Sequence, residues 1–300
     1  EMQRSLVGSE MCIRDRHSYA SVGTVADDGK IYIGDPDVLA GFIQSGADGK
    51  GVEVVLVRDL DMGSHNITLS TSFESISNCT FNGNNHTIAN YTLSNKQYAG
   101  LLPNAIRVTV KNLTLKNANI TAVNDGSNNA YAGGFIGRAY GTNVVENCTL
   151  ENSIVQGINK VGGIAGFQAE NGISIRKCTV KGSTIKVDTE NQEYGQCGGI
   201  LGYIGSVAAA NEVSGNFIIN TKVEAPANTN IGEEHRKSSI CVGTLQGVKG
   251  QSLVIDMPFS YIQSSTFNGK TIDKTEYMGL LGGIRYEETQ PSLTINGTRF

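Results

Sequence analysis

The sequence predicts an all-β protein, a right-handed parallel β-helix (β-solenoid) of about three short strands per coil with a short N-terminal capping helix. The first observation is a glycine-flanked apolar segment that recurs as AGLLPNA, AGGFIGR, VGGIAGF, CGGILGY and MGLLGGI, beginning at Ala99, Ala132, Val161, Cys197 and Met278. The second is a fixed spacing of apolar residues between these segments. Composition agrees, because 37 glycines, 5 prolines and 17% charged residues suit short strands with tight turns.

The apolar spacing is three, two and five residues in the three stretches 108–120, 143–155 and 173–185. The slots are filled by Val110, Leu113, Leu115, Ile120; by Val145, Cys148, Leu150, Val155; and by Ile175, Cys178, Val180, Ile185. Weaker copies are Val213, Asn216, Ile218, Val223 and Ile262, Ser265, Phe267, Ile272, with a partial copy at Ile76, Cys79, Phe81. The last copies fit poorly, since Asn216 is polar in an apolar slot.

These steps describe a coil. Side chains alternate along a strand, so a step of two keeps two residues on one face, whereas a step of three requires a turn between them. The step of five crosses a second turn at Asn117, Asn152 and Gly182, residue types that tolerate a positive φ. The glycine segment supplies the remaining side, where small residues let backbone pack closely. We therefore expect Leu113, Cys148 and Cys178 to stack in one column, with Cys79 below.

One helix is predicted early in the chain, in GDPDVLAGFIQSG. Asp35 is the expected N-cap, Pro36 the first helical residue and Gly46 the residue after the end. An open solenoid end exposes core and strand edges, so residues 30–46 are expected to cap the first coil. No similar cap precedes Phe300, and the array is expected to continue beyond it.

The N-terminal stretch SLVGSEMCIRDR has no periodicity and resembles a translated sequencing adapter, as found in metagenomic reading frames. Residues 1–17 are therefore interpreted as a probable non-native segment and excluded from the fold. Residues 18–300 are predicted to form a single solenoid domain, with the cap and first strands in 30–62 and coils in 63–300. Any signal peptide would precede this sequence, so its absence does not indicate a cytoplasmic protein.

Charge and cysteine content exclude several functions. The net charge is −4 without a basic stripe, which argues against nucleic acid as a partner. No apolar run approaches the roughly 20 residues of a membrane span. Without Cys12 the cysteines are odd in number and lack a C-x-x-C pair, which argues against a zinc knuckle. They are Cys79, Cys148, Cys178, Cys197 and Cys241.

The glycine segments resemble the GLUG motif of repetitive bacterial surface proteins. CTFNGNNHTIANYTL (79–93) is similar to the coil that often precedes GLUG repeats in exported Bacteroidales proteins. The resemblance covers about residues 30–300 and implies a secreted or surface-anchored β-solenoid of the pectin-lyase-like class. Such a segment is commonly a stalk or adhesive region, sometimes attached to a peptidase domain elsewhere in the protein.

Candidate catalytic groups are few. Asp59 and Asp61 flank Leu60 on one strand face, as paired carboxylates of a glycosidase would, although a solvated strand end explains them more simply. Glu233, Glu234 and His235 lie in the longest interruption of the template, where an inserted loop can carry function. No cofactor is predicted, and no metal site, because the histidines are not spaced as ligand pairs.

Histidines and cysteines are interpreted as structural. His86 in NGNNHTI is expected to satisfy a turn. Cys79, Cys148 and Cys178 occupy slots that leucine fills elsewhere, so they are expected to be core residues. A disulfide between Cys148 and Cys178 on adjacent coils is the alternative, since a spacing of about 4.8 Å permits it.

Tyr98, Tyr131 and Tyr277 precede glycine segments in equivalent places, with Lys160 and Gln196 in the intervening coils. If the column faces outward, these tyrosines are candidate ligand-binding residues for a sugar or a protein partner; the alternative is that they cover the glycine backbone. The prediction is a non-enzymatic secreted or cell-surface scaffold that adheres to a glycan or a host or cell-surface protein. A carbohydrate-active lyase or hydrolase and a trimeric phage or fibre component are the alternatives.

Overall fold

The computed structural model is a parallel β-helix with one α-helix among the residues that it describes, which confirms the predicted fold class. The structure describes residues 26–46, 48–65, 67, 69, 75–124, 126, 129–188, 195–206, 211–225, 239, 241–246 and the strands 253–256, 261–263, 265–267, 270–272, 281–285 and 293–296. Residues 1–17 and Phe300 lie outside these ranges. Within them, every strand pairing is parallel except that of Ser265–Phe267 with Lys270–Ile272.

The largest sheet has two columns of strands, called here faces 1a and 1b. Face 1a contains Lys30–Ile33, Glu53–Leu56, Thr80–Asn82, the first halves of Thr109–Lys116 and Asn143–Glu151, and then Ile173–Arg176, Asn211–Ser214, Leu253–Asp256 and Leu293–Asn296. Face 1b contains Leu60–Asp61, Thr87–Ala89, the second halves of the two long strands, and then Thr179–Lys181, Phe217–Ile219 and Tyr261–Gln263.

Three further sheets complete each coil. Face 2 contains Thr92–Lys96, Asn119–Val123, Ile154–Gly157, Thr184–Val187, Lys222–Glu224, Ser265–Phe267 and Lys270–Ile272. Face 3 contains Tyr98–Ala99, Tyr131–Gly133, Lys160–Gly162 and Gln196–Gly198. Face 4 contains Ile76–Ser77, Leu102–Ile106, Ile136–Tyr140, Ala165–Glu170, Leu201–Ser206, Val242–Gln246 and Leu281–Arg285. The sequence predicted about three strands per coil, whereas the full coils have up to five.

The strand register confirms the spacing template for the central coils. Val110, Val145, Ile175 and Val213 form one fully buried column, since each pairs with the next. Leu113 pairs with Cys148. Glu146 pairs with Arg176 and Thr149 with Thr179, so Cys178 lies level with Cys148. The predicted column of Leu113, Cys148 and Cys178 is therefore confirmed. Equivalent residues lie 35, 30 and 38 positions apart, so coil length varies while register is kept.

The template is wrong for two copies. Phe81 pairs with Val110, so Cys79 lies level with Val108 and not below Leu113. The backbone beneath Leu113 is the turn at Gly83, where an added Cβ would lie 2.6 Å from the Leu113 Cβ. In the last copy Ile262 pairs with Ile218 and Phe267 with Val223. Ile262 therefore occupies the third slot and not the first, and Phe267 occupies the fourth and not the third. The two assignments were confused because the steps of three and two add up to the step of five.

The turns between faces 1a, 1b and 2 use left-handed backbone. At the first turn Asn112, Asn147, Lys177 and Gly215 have φ of 54, 52, 55 and 58°. At the second turn Asn117, Asn152, Gly182 and Asn220 have φ of 53, 50, 59 and 48°. Asparagine tolerates this region better than other side chains, which explains its recurrence and confirms the predicted turns. We call these the asparagine corners.

Buried polar side chains join the coils beneath these corners. Asn216 is fully buried, its Oδ1 accepting from the Cys178 backbone N–H and its Nδ2 donating to the Ile175 carbonyl, both at 2.9 Å. The polar residue in the apolar slot therefore satisfies the corner of the neighbouring coil. At the second corner the Ser153 backbone N–H donates to the Ser183 hydroxyl at 3.1 Å. These polar groups can be buried because hydrogen bonds within the protein replace the hydrogen bonds to water that they lose on folding.

Helix α1, Pro36–Ser45, covers the first coils. Asp35 caps it by accepting from the Asp37 backbone N–H, and Gly46 ends it in the left-handed region, as predicted. Its buried face continues the core, and the Phe42 ring lies 6.0 Å from that of Phe81. Residues 30–33, which the sequence placed in the cap, form a strand paired with Glu53–Leu56. The cap is therefore the helix alone.

Candidate functional site

The glycine segments form a corner between faces 3 and 4, which we call the glycine corner. Cβ atoms added to Gly133, Gly162 and Gly198 would lie 2.1, 2.0 and 2.1 Å from the carbonyl oxygens of the residues three positions later. None of these three glycines has a positive φ. Glycine is therefore required here by close backbone approach and not by a left-handed conformation.

The two walls beside this corner carry an aligned set of side chains. On face 3, Tyr98 pairs with Tyr131, Tyr131 with Lys160 and Lys160 with Gln196, so the predicted equivalence of these positions is confirmed. On face 4, Arg138 pairs with Phe167 and Phe167 with Tyr203. Each column repeats once per coil, so the walls present side chains at the spacing of the coils.

Four rings from the two walls meet and form what we call the aromatic ladder: Tyr98, Tyr131, Phe167 and Tyr203. The Tyr98 and Tyr131 rings stack with centroids 5.4 Å apart. The Phe167 ring meets Tyr131 edge-on at 4.9 Å and Tyr203 at 5.6 Å. Such offset and edge-on contacts stabilise aromatic pairs beyond the burial of their area. The ladder is thus a small second core outside the helix interior.

Two cations lie on this ladder. The Lys160 Nζ is 4.5 Å from the Tyr131 ring centroid, 4.8 Å from that of Phe167 and 4.9 Å from that of Tyr203. The Arg138 guanidinium carbon is 5.4 Å from the Tyr98 centroid and 5.6 Å from that of Tyr140. Ring faces attract cations through their quadrupole, so these positive charges are held in place by aromatic rings.

Exposure separates the structural members of this site from the accessible ones. Tyr131 is 6% exposed and Tyr203 2%, whereas Tyr98, Tyr140, Arg138, Lys160 and Phe167 are half-buried. Burial raises the pKa of Tyr131 to about 12. A hydrogen bond to Glu170 raises the pKa of Tyr140. Both phenols are therefore neutral hydrogen-bonding groups near neutral pH.

The structure places the predicted binding residues as follows. Tyr98 is half-buried on face 3, Tyr131 lies within the aromatic ladder, and Tyr277 lies outside the described residues. The sequence prediction missed Arg138, Tyr140, Phe167 and Tyr203. A signal for three of them existed, because Arg138, Phe167 and Tyr203 are the last residues of AGGFIGR, VGGIAGF and CGGILGY. The last residue of each glycine segment can be placed beside the tyrosine column only when the geometry of the glycine corner is known.

The acidic pair Asp59 and Asp61 serves turns between coils. Asp59 accepts from the Thr87 backbone N–H at 2.8 Å and lies 3.2 Å from the His86 ring. Asp61 accepts from Asn90 Nδ2 at 2.9 Å and from the Gly63 backbone N–H at 3.0 Å. These hydrogen bonds lower the pKa of both carboxyls. They border a shallow pocket of about 310 Å³, and their chemistry is unsuited to a general acid.

The described cysteines are free thiols buried in the core, as predicted, and the alternative disulfide is not formed. Burial raises the pKa of the Cys79 thiol to about 12 and raises those of Cys148 and Cys197 as well. Thiols of this kind are poor nucleophiles. His86 donates its backbone N–H to Gly83 within its turn, which agrees with the predicted role.

Metal sites and membrane-spanning helices were sought among the residues that the structure describes. Within the described part of the chain no cluster of three potential metal ligands occurs. Nor does any helix among those residues have the length and apolar character needed to cross a membrane. Glu233, Glu234 and His235 lie outside the described residues.

The fold and the repeated glycine corners define a repeat scaffold built on a parallel β-helix. Comparison with known proteins agrees: residues 128–155 match the family model of the GLUG motif. That segment contains the glycine corner of Gly133 and the long strand Asn143–Glu151.

Among solved structures, the chain resembles a protein described as a putative immunoglobulin A1 protease from Bacteroides ovatus. The TM-score is 0.51 at 17% identity, over 88% of this chain and 85% of that one. This likeness concerns the fold alone. No curated protein matches the chain.

Proposed function

We propose that this protein is a non-enzymatic, secreted or cell-surface scaffold that adheres to a glycan or a surface protein through the walls of the glycine corner. The observation that carries the proposal is the aromatic ladder, which extends over four successive coils, with its two half-buried cations. Half-buried aromatic and arginine side chains are enriched at binding surfaces. A rigid stack of coils positions them without further ordering cost.

The accessible residues of the site are Tyr98, Tyr140, Arg138, Lys160 and Phe167. The packed rings of Tyr131 and Tyr203 hold them from behind. The expected adhesive role of Tyr131 is therefore to support Tyr98, which is half-buried and also lies beneath the Arg138 guanidinium. This division predicts which substitutions affect binding without affecting folding.

Binding is tested with the full chain on a glycan array and on immobilised mucin, with Tyr98→Ser and Tyr140→Ser as site variants. We expect retained signal to fall by roughly 30-fold in the double variant, since each half-buried aromatic contributes about 1 kcal/mol of contact. Tyr32→Ser is the matched control, because Tyr32 is 36% exposed on face 1a, away from the site. An equal loss in the control, or no retention of any target by the wild type, contradicts the adhesive proposal.

The non-enzymatic part has its own test. The chain is incubated with a panel of polysaccharides and with immunoglobulin A1, followed by assays for reducing ends, unsaturated sugars and cleaved peptide. We expect no turnover. Robust turnover that disappears in Glu233→Gln or Glu234→Gln overturns the proposal in favour of an enzyme.

A further inference from the structure

Side-chain hydrogen bonds join the first coil (48–61) to the second (76–90) and the second to the third (107–117). Among the described residues they form three ladders along the solenoid axis. In each ladder a side chain of the third coil donates to an asparagine of the second coil, which donates to an acidic residue of the first. The ladders are Arg107 to Asn78 to Asp48, Asn112 to Asn82 to Glu53, and Asn117 to Asn90 to Asp61. Each of the three therefore ends on a carboxylate of the first coil.

The bonds at the boundary between the first and second coils differ in length from those of the next boundary. The three bonds from asparagines to carboxylates are 2.8–2.9 Å long. Asp59 is a fourth carboxylate at this boundary, because it accepts from the Thr87 backbone N–H at 2.8 Å. The amide-to-amide bonds that Asn112 and Asn117 donate across the next boundary are 3.4 Å long. Hydrogen bonds to an ionised acceptor are shorter and stronger than those between neutral groups, so the first boundary depends on the charge of its acceptors.

These acceptors titrate, whereas the amide oxygens of the next boundary do not. The hydrogen bond from the second coil is the largest contribution that holds the pKa of Asp48, Glu53, Asp59 and Asp61 below its ordinary value. Because these pKa values are lower in the folded state, the stabilisation is present above the ordinary values of 3.8 and 4.5. It is lost as the pH falls through the folded values, so acid weakens this boundary first.

Cations from several elements face these carboxylates. Lys30 and Lys111 contact Glu53 at 3.4 and 3.3 Å. The other titratable neighbours are Lys50 near Asp48, the Tyr32 phenol near Glu53, His86 at 3.2 Å from Asp59, His65 near Asp61 and at 2.7 Å from Asp37 of helix α1, and Lys116 at the pocket that Asp59 and Asp61 border. Protonation of the carboxyls removes these attractions and leaves the positive charges facing one another, which adds repulsion to the loss of hydrogen bonds.

The backbone connection at this boundary is short. Strand Glu53–Leu56 pairs with the three-residue strand Thr80–Asn82, and Leu60–Asp61 pairs with Thr87–Ala89. The central coils are joined by the long strands Thr109–Lys116 and Asn143–Glu151. Regions with few backbone bonds open locally before the rest of a fold, so the side-chain bonds matter more at the first boundary.

We infer that residues 30–46 and 48–61, called here the N-terminal unit, form an acid-sensitive cap that opens from the second coil before the central coils lose structure. The unit contains helix α1, whose Phe42 ring packs against that of Phe81 in the second coil. Opening exposes Phe81 and the strand edge of Thr80–Asn82, which the unit covers while its carboxylates are ionised. The device is independent of the proposed adhesive function.

The experiment measures hydrogen exchange of the full chain by mass spectrometry at about pH 5 and about pH 2.5, with rates corrected for the intrinsic effect of pH. This range lies below that in which histidines ordinarily titrate. We expect protection of strands Lys30–Ile33 and Glu53–Leu56 to fall roughly 10-fold more than that of Thr109–Lys116. A boundary variant replaces the four carboxyls by amides, which accept hydrogen bonds at either pH. Its substitutions are Asp48→Asn, Glu53→Gln, Asp59→Asn and Asp61→Asn. In this variant the difference between the two regions is expected to shrink below roughly 3-fold.

The matched control makes the same number of carboxyl-to-amide changes in the central coils: Glu146→Gln, Glu151→Gln, Asp188→Asn and Glu212→Gln. It is expected to keep the acid opening of the N-terminal unit. The wild type is decisive by itself, because an equal loss of protection in both regions, or none in the N-terminal unit, overturns the inference even where a variant fails to fold. A boundary variant that opens in acid as the wild type does also overturns it. So does a control variant in which the acid opening disappears.

Discussion

The asparagine corners and the glycine corner turn the same chain by different physical means. At the first asparagine corner, Asn147, Lys177 and Gly215 occupy one column with almost the same positive φ. At the glycine corner, Gly133, Gly162 and Gly198 occupy one column without a positive φ. At the asparagine corner the residue must adopt a positive φ, whereas at the glycine corner it must lack a Cβ because neighbouring backbone atoms are too close.

This difference explains how each corner varies. A left-handed residue pays a local conformational cost of about 1–2 kcal/mol if it is neither glycine nor asparagine, so other residues are tolerated. A Cβ at 2.0 Å from a carbonyl oxygen is impossible unless the backbone moves. The asparagine corners therefore change sequence freely between coils, whereas the glycine corner keeps glycine at Gly133, Gly162 and Gly198 and changes to Ser239 in the coil that follows Gly198. The wall residues of the candidate site lie in the coils that keep glycine at this corner.

The largest expected effect follows from Gly162→Ala. The new Cβ would lie 2.0 Å from the Ala165 carbonyl oxygen and 2.7 Å from the Gly202 nitrogen, so faces 3 and 4 must separate. We expect a loss of about 3 kcal/mol or more in the free energy of unfolding, measured by urea denaturation. Gly215→Asn is the control, because an added Cβ there lies 4.0 Å from its nearest neighbours at a φ that asparagine tolerates. Equal losses in the two variants would remove the distinction between the corners.

A smaller effect of opposite sign is expected at Lys177. This lysine has a φ of 55° at a position where neighbouring coils have asparagine or glycine. Lys177→Asn should therefore stabilise the protein by roughly 0.5 kcal/mol, since asparagine is less strained in the left-handed region. The same urea titration measures it, with Lys181→Asn, on a strand of face 1b, as the comparison. A clear destabilisation by Lys177→Asn contradicts the assignment of strain to this corner.

The smallest expected effect is a loss of folding stability at low pH, through a hydrogen bond between Asp61 and an asparagine that contacts a corner residue. The Asp61 carboxylate accepts from Asn90, and Asn117 donates in turn to Asn90. The Asn90 hydrogen bond and that of the Gly63 N–H hold the pKa of Asp61 below its ordinary value of 3.8. Because this pKa is lower in the folded state, its stabilisation is present above about pH 4 and is lost as the pH falls through the folded value.

Thermal melts from pH 7 to pH 2.5 should show this loss for the wild type, and Asp61→Asn should flatten the corresponding part of the profile. Asp27→Asn is the control for a general change of charge on an exposed carboxyl. An unchanged profile for Asp61→Asn would show that this hydrogen bond does not contribute in the acid range.

Prediction from the sequence succeeded where the residue type itself favours the backbone conformation that it adopts. Asn117 and Asn152 indicated positive φ, and the buried columns through Val110 and Leu113 followed from alternation along strands. It failed where the decisive neighbour lies in another coil. The turn at Gly83 displaced Cys79 from its expected column, and the burial of Tyr131 depends on Phe167, Lys160 and Tyr98.

The sequence by itself determined the coiled architecture, the helix with its caps and the column that links Tyr98, Tyr131 and Lys160. These follow from periodicity and from the backbone preferences of single residue types, which act locally. Only the tertiary structure decided that faces 3 and 4 approach until their glycine backbones touch. That approach brings the last residues of the glycine segments against the tyrosine column. It depends on distances between strands that are remote from each other along the chain, and no local preference encodes them.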